Sequence, residues 1–322
     1  MKFMKAISPG KCILFGEHAV VYGYPAIAMS LNIYSSCRIK KIPKDIFILR
    51  LSNYQKKLQF SSQKEIKNQF PHKFRNFQVG LITLLNQYNI KLQGIEVEIA
   101  SDLFMGGGLG SSASTAVSLI AALGSFYNLG LNKGQISEIA YKMEKIIHGT
   151  PSGIDNTICT YGNILIYQKK KFEILKNIPP MKVLISYTNI DHSTKAAIQK
   201  IAKLRRSSKK YIDDIFHSIG KITKKAQKAI ISGNIKKVGD LMNKNQQLLA
   251  NLGVSNKTIE SINEISLENG LYGSKLTGAG LGGCVIGIGK MNNLKKASKI
   301  LSQKGFKNYI TSINQKGVHI VN

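Results

Sequence analysis

Between residues 106 and 112 the chain reads Gly106-Gly107-Gly108-Leu109-Gly110-Ser111-Ser112 and passes directly into a run of small and apolar residues, Ala113 to Tyr127. Glycine leaves the backbone free to turn successive N–H groups inward, and a helix that is apolar all round is a buried one. A nest of backbone amides at the positive end of such a helix is an anion site. It is not a Walker A loop: no G-x-x-x-x-G-K-[ST] occurs anywhere in the chain, and Gly110 is followed by Ser111 rather than lysine. A flexible linker would not need the abrupt switch into a helix.

The length of 322 residues suits two domains at roughly 150 residues each. The division is expected at about residue 175, between Lys169-Lys170-Lys171 and Pro179-Pro180, giving domains 1–175 and 176–322. In the first, short strands are predicted at 3–7 and 12–15 around the turn Ser8-Pro9-Gly10, and further strands at 35–41, 46–51, 95–100 and 163–167. Helices are predicted at 74–88, 113–127 and 133–147. In the second, strands at 182–186, 284–288 and 309–313 alternate with helices at 235–251, 256–269 and 294–303. Ile215, Ile219, Ile222, Ala226 and Ile230 mark an amphipathic helix. Both halves therefore mix α and β.

Three further segments carry chemistry-bearing residues. Ser8-Pro9-Gly10-Lys11 matches the S-x-x-K of Ser-Lys hydrolases, yet S-D-N is absent and Lys275-Leu276-Thr277-Gly278 is not K-T-G. Gly278-Ala279-Gly280-Leu281-Gly282-Gly283-Cys284-Val285 satisfies G-x-G-x-x-G-x-V, but it runs into a strand rather than opening a helix, and H-R-D and D-F-G are both missing. Dinucleotide-binding and protein-kinase readings are thereby excluded. Finally, His148 to Asn156 packs turn residues around Asp155, just after a helix that carries Glu144.

Charge raises a different class. The balance of +29 points to a polyanion partner, making a basic RNA- or DNA-binding protein the alternative. Against it, the lysines are scattered as pairs (Lys40-Lys41, Lys56-Lys57, Lys224-Lys225, Lys236-Lys237), with no interleaved aromatics and no nucleic-acid motif, so no specific nucleic-acid partner is expected. Cys12, Cys37, Cys159 and Cys284 are too widely spaced for a zinc site or a disulfide scaffold. With no secretory signal and no apolar run long enough to span a bilayer, a cytoplasmic protein without a membrane partner is expected.

Taken in order, the stretches Ser8 to Gly23, Gly106 to Ser112, His148 to Asn156 and Lys275 to Gly280 resemble the GHMP small-molecule kinases, most sharply the branch that phosphorylates mevalonate. The resemblance implies an α+β, two-domain GHMP kinase: a ribosomal-S5-like N-terminal domain, a ferredoxin-like C-terminal domain and an active site between them. It implies ATP as co-substrate, Mg²⁺ as cofactor and mevalonate as acceptor, with a homodimer left open. By this likeness Gly106, Gly107, Gly108, Leu109, Gly110, Ser111 and Ser112 would hold the phosphates. Ser112 and Glu144 would bind the metal, and Asp155 with Lys11 would form the catalytic pair. Glu17, His18, Thr194, Gly278, Ala279 and Gly280 would lie at the substrate. Three positions depart from the family pattern: Leu281 for a glycine, Phe104 for a proline and His192 for an arginine. A relative acting on phosphomevalonate, or another GHMP kinase, is the alternative within the family.

Overall fold

Two strands frame the molecule because they bury residues on both faces. In the computed structural model, which describes residues 3–149, 151–169, 171–191 and 194–321 and leaves aside the side chains of His148, Thr194 and Lys195, β1 spans Met4–Phe15 and β2 spans Ala26–Lys41. They pair antiparallel. Successive side chains of a strand point to opposite faces: Ile13 enters one hydrophobic core, Cys12 and Leu14 another. Where the sequence predicts two short strands, one strand continues, with a register slip between Pro9 and Gly10. Proline has no N–H to offer the ladder, and a bulge accommodates it without ending the strand.

Around this pair the first sheet is completed by β3 (Phe47–Leu51), β4 (Lys56–Phe60) and β5 (Ile95–Ser101) on one side. Beside the first half of β2 stand β6 (Ile164–Gln168) and β7 (Lys171–Ile174). All neighbours are antiparallel except β3 and β5. Helices α1 (Gln63–Asn68), α2 (Arg75–Tyr88), α3 (Ser111–Phe126), α4 (Lys133–His148) and α5 (Ile154–Tyr161) interleave with these strands. α3 packs directly on β1 and β2 with α4 and α5 against it. Its residues Ala113 to Gly124 are all buried, as the unbroken small-residue run requires. α4 starts at a capping box, in which Gln135 N–H donates to Asn132 Oδ1 at 3.0 Å and Asn132 N–H to Gln135 Oε1 at 3.0 Å.

The second half contains β8 (Lys182–Tyr187), α6 (Thr194–Ser207), α7 (Lys209–Ile231), α8 (Ile235–Asn251), α9 (Lys257–Glu268), β9 (Gly273–Thr277), β10 (Cys284–Ile288), α10 (Met291–Gln303) and β11 (Asn308–Ser312). Its four strands form an antiparallel sheet in the order β11-β8-β10-β9. One face of that sheet, with Leu184, Leu276 and Val285, shares a core with residues of α7, α8, α9 and α10. The other, with Val183, Ile185, Ile286 and Ile288, shares a core with Cys12, Leu14, Ile27 and Met29 of β1 and β2. The two sheets are therefore joined by apolar burial as well as by the chain, and the architecture is α+β in two parts.

The expected cut at residue 175 lies between β7 and β8, the last strand of the first sheet's run and the first of the second's. The chain nevertheless crosses back. A further strand, β12 (His319–Val321), pairs with β1 through Lys5, Ala6 and Ile7, so residues 319–321 stand in the first sheet and not with the rest of 176–322.

Candidate active site

The phosphate-loop candidate and Lys11 are built against each other. Lys11 lies on β1, and its backbone N–H donates to the carbonyl of Leu109 at 2.8 Å. Its aliphatic stem runs past Gly110, where a Cβ would come within 2.8 Å of Lys11 Cγ. Gly110 has φ +74° and caps α3, so glycine is required there on both steric and conformational grounds. Beyond it, the first-turn amides of α3 have no intrahelical acceptors and the helix dipole adds positive potential at the same end.

The Lys11 ammonium ends 3.1 Å from Asp155 Oδ1. Lys11 is 4% exposed; burial pushes its pKa down, but the charge and hydrogen bond of Asp155 outweigh that, and the net shift is upward. The ammonium therefore stays charged inside the protein. Asp155, whose side chain is 36% exposed, can reach solvent or a ligand. It stands in the first turn of α5 behind Gly153, which takes φ +88°. Sequence reading places Asp155 in a turn; the structure begins a helix at Ile154. Asn156 locks that helix to α4, donating to the carbonyl of Ser137 at 3.0 Å and to its hydroxyl at 2.8 Å. The preceding turn is held by Tyr167, whose hydroxyl donates to Ser152 O at 2.5 Å.

Across from this pair, Ser112 Oγ donates to Glu144 Oε1 at 2.6 Å. Burial first, and the charge of Asp155 second, push the Glu144 carboxyl up to about 7. A nearby cation would favour the ionised form of a carboxyl raised in this way. Among the described residues no cluster of three or more His, Cys, Asp or Glu gathers as a self-sufficient metal site. Mg²⁺ does not need one: it is commonly held by one or two protein oxygens together with phosphate oxygens and water. Ser112 and Glu144 fit that requirement.

The third glycine segment joins the second half of the chain to this site. Thr277 of β9 accepts from Ile13 N–H at 2.7 Å and donates to Ile13 O at 3.0 Å, bridging the two sheets. Gly278, at φ +84°, lies over the loop, its ideal Cβ position 3.6 Å from Gly108 O. His18 Nε2 is 2.9 Å from Ala279 O; burial lowers its pKa to about 4, so the ring is neutral at pH 7. Gly280 packs on Val254, where a Cβ would approach the carbonyl oxygen to 2.3 Å. Leu281, in place of the family glycine, adopts φ +63° and donates its N–H to Val254 O at 2.7 Å. The left-handed conformation is kept despite the side chain.

Glu17 is placed differently from an open substrate contact. Its carboxylate is ion-paired to Lys275 Nζ, both side chains fully buried, and it accepts from Asn245 Nδ2 at 3.1 Å. Lys275 and Asn245 carried no role in the sequence reading. A lysine set among small and apolar neighbours in the run Gly273 to Thr277 is the local signal that could have marked Lys275; nothing local marks Asn245. Thr194 begins α6, with its side chain outside the described residues, and His192 lies outside them altogether.

Breaking one side of a buried pair leaves an uncompensated charge. Lys275→Met is expected to cost about 3–5 kcal/mol of stability, with much of that recovered when Glu17→Gln is added, as read by denaturant unfolding. Wild-type stability in the Lys275→Met variant would contradict the pair.

The descriptions "GHMP kinases N terminal domain" and "GHMP kinases C terminal" match residues 76–163 and 226–307. The mevalonate kinase of Thermococcus sibiricus is 33% identical over 98% of this chain and 97% of its own length. The crystal structure of the Methanococcus jannaschii mevalonate kinase superposes with a TM-score of 0.88 at 33% identity, covering 97% of this chain and 99% of that one. That of the L. major mevalonate kinase in complex with R-mevalonate superposes with a TM-score of 0.83 at 26% identity, covering 97% of this chain and 96% of the other. With a glycine loop, a buried lysine paired to a solvent-reaching aspartate and a hydroxyl–carboxylate pair at one helix end, and with relatives alike along nearly its whole length, the chain belongs to the GHMP kinases.

Proposed function

We propose that this kinase transfers the γ-phosphoryl group of ATP to the primary C5 hydroxyl of mevalonate, giving 5-phosphomevalonate and ADP. The observation that carries the chemistry is the 3.1 Å Lys11–Asp155 pair set against the head of α3. The full-length relatives that carry the name mevalonate kinase support the acceptor.

Phosphoryl transfer asks a protein mainly to align the acceptor and to stabilise charge on the transferred group. The amides of Gly106 to Ser112 suit the phosphates. Ser112 and Glu144 would hold Mg²⁺, which would supply positive charge to offset that of the phosphates. Asp155 accepts the proton of the C5 hydroxyl as its oxygen bonds to phosphorus and the bond to ADP breaks. Lys11 holds the Asp155 carboxylate in place and adds a fixed positive charge beside the reacting oxygens. His18 and the backbone of Gly278, Ala279 and Gly280 close the acceptor side, with Thr194 at the start of α6. Glu17 acts from beneath, through its pair with Lys275. The four cysteines are unpaired and buried, as suits a reducing cytoplasm, and among the described residues no helix is long and apolar enough to cross a membrane.

Asp155→Asn and Lys11→Met are each expected to lower kcat by about 10²- to 10⁴-fold while ATP binding, measured by calorimetry, survives. Near-normal turnover in purified Asp155→Asn contradicts the assignment. Ser112→Ala and Glu144→Gln should both raise the Mg²⁺ concentration needed for half-maximal rate, Glu144→Gln more. In coupled ADP-release assays across mevalonate, phosphomevalonate, galactose and homoserine, mevalonate is expected to give the largest kcat/KM. Turnover confined to phosphomevalonate would move the acceptor to the phosphorylated alcohol.

A further inference from the structure

Phe104, which stands where the family pattern often has a proline before the phosphate loop, has no part in the reaction just described, yet its surroundings are specific. Its ring lies between two tyrosine rings, with centroids 5.2 Å from Tyr187 at an interplanar angle of 17° and 4.6 Å from Tyr309 at 20°. Tyr187 ends β8 and Tyr309 lies on the adjacent strand β11, opposite Ile185. The two tyrosines are thus diagonal neighbours on one face of the second sheet, and a residue of the first half of the chain is inserted between them.

The same groups reach the glycines of the loop. Phe104 O accepts from Gly107 N–H at 3.1 Å and so closes the loop's first turn. The Tyr187 hydroxyl donates to Asp191 Oδ1 at 2.5 Å, and this carboxylate lies against Gly106, where an ideal Cβ would stand 2.4 Å from Oδ1. Gly107 rests on β10, its ideal Cβ position 3.0 Å from Cys284 Sγ and 3.0 Å from Phe104 Cβ. Gly106 and Gly107 are therefore glycines because the second sheet and its following loop press on them, not only because the loop must bend.

We propose that Phe104, Tyr187, Tyr309 and Asp191 form a clasp through which the second domain holds the phosphate loop in its nucleotide-binding shape. The proposal rests on the reading of Gly106 to Ser112 as a nucleotide-phosphate site. These four are positioning residues: each acts through the loop and none needs to touch a reacting atom. A glycine-rich segment released from the clasp would populate other conformations, and apparent affinity falls in proportion to the competent fraction. On the acceptor side, His18 and residues 279–280 are held by contacts with each other and with Val254 and should be spared.

The test is ADP affinity, measured by calorimetry with Mg²⁺ present, together with separate KM values for ATP and mevalonate. Phe104→Ala is expected to bind ADP roughly tenfold more weakly, the order that losing an aromatic pair implies, with a matching rise in KM for ATP and no change in KM for mevalonate. Phe104→Tyr, which restores a ring, should recover wild-type affinity. Tyr187→Phe keeps the stack and removes only the hydroxyl that holds Asp191; it should weaken ADP binding by a smaller factor, about threefold, and decides the matter if Phe104→Ala does not fold. Unchanged ADP affinity in Tyr187→Phe and in any folded Phe104→Ala overturns the clasp, as does an equal rise in both KM values. A wild-type protein that binds no ADP overturns the nucleotide reading itself and the clasp with it.

Discussion

The contact on which the site depends is between β1 and the glycine loop. Lys11 donates its amide to Leu109 O at 2.8 Å, and its stem passes the bare Cα of Gly110. That close approach fixes where the lysine ammonium emerges, and hence where Asp155 must stand to meet it. It also fixes the start of α3, because Gly110 is both the neighbour of the lysine and the helix cap. A side chain at position 110 would disturb the Lys11–Asp155 pair and the head of α3 at once.

Around this contact the two halves of the chain are tied in three chemically different ways. Apolar burial joins Cys12, Leu14 and Met29 to Ile185 and Ile286. A reciprocal pair of hydrogen bonds joins Thr277 to Ile13. A fully buried ion pair joins Glu17 to Lys275. The ion pair adds little net stability compared with apolar residues of the same volume, since both charges must be desolvated. Its value lies in geometry: it fixes β9 against the turn that carries His18, and through His18 the backbone of Ala279. Lys11, Ser112, Glu144 and Asp155, from β1, α3, α4 and α5, are thereby brought to the same side of the first sheet's core as the Gly278–Gly280 backbone of the second half.

Much of this was legible in the residues. The loop-to-helix switch at 106–113 marks the start of α3, and the helices expected at 235–251 and 256–269 form as α8 and, within one residue at each end, α9. What escaped was set by distant partners. The strand through Pro9 looks broken because proline is a turn signal, yet pairing with β2 carries it across a bulge. The helix at 154–161 is hidden because Gly153 and Asn156 read as turn residues; it forms because Asn156 finds Ser137 on α4. The return of His319–Val321 to β1 has no local cue, and Glu17 looked like a cleft residue because its partner lies 258 positions away.

Transfer of the γ-phosphoryl group to a primary alcohol can be followed directly at phosphorus. In ³¹P NMR of the purified protein with ATP, Mg²⁺ and mevalonate, the γ-phosphate signal is expected to fall while a phosphomonoester signal coupled to the C5 methylene protons grows. Release of the γ-phosphate only as inorganic phosphate, or no loss of ATP at all, would contradict that transfer.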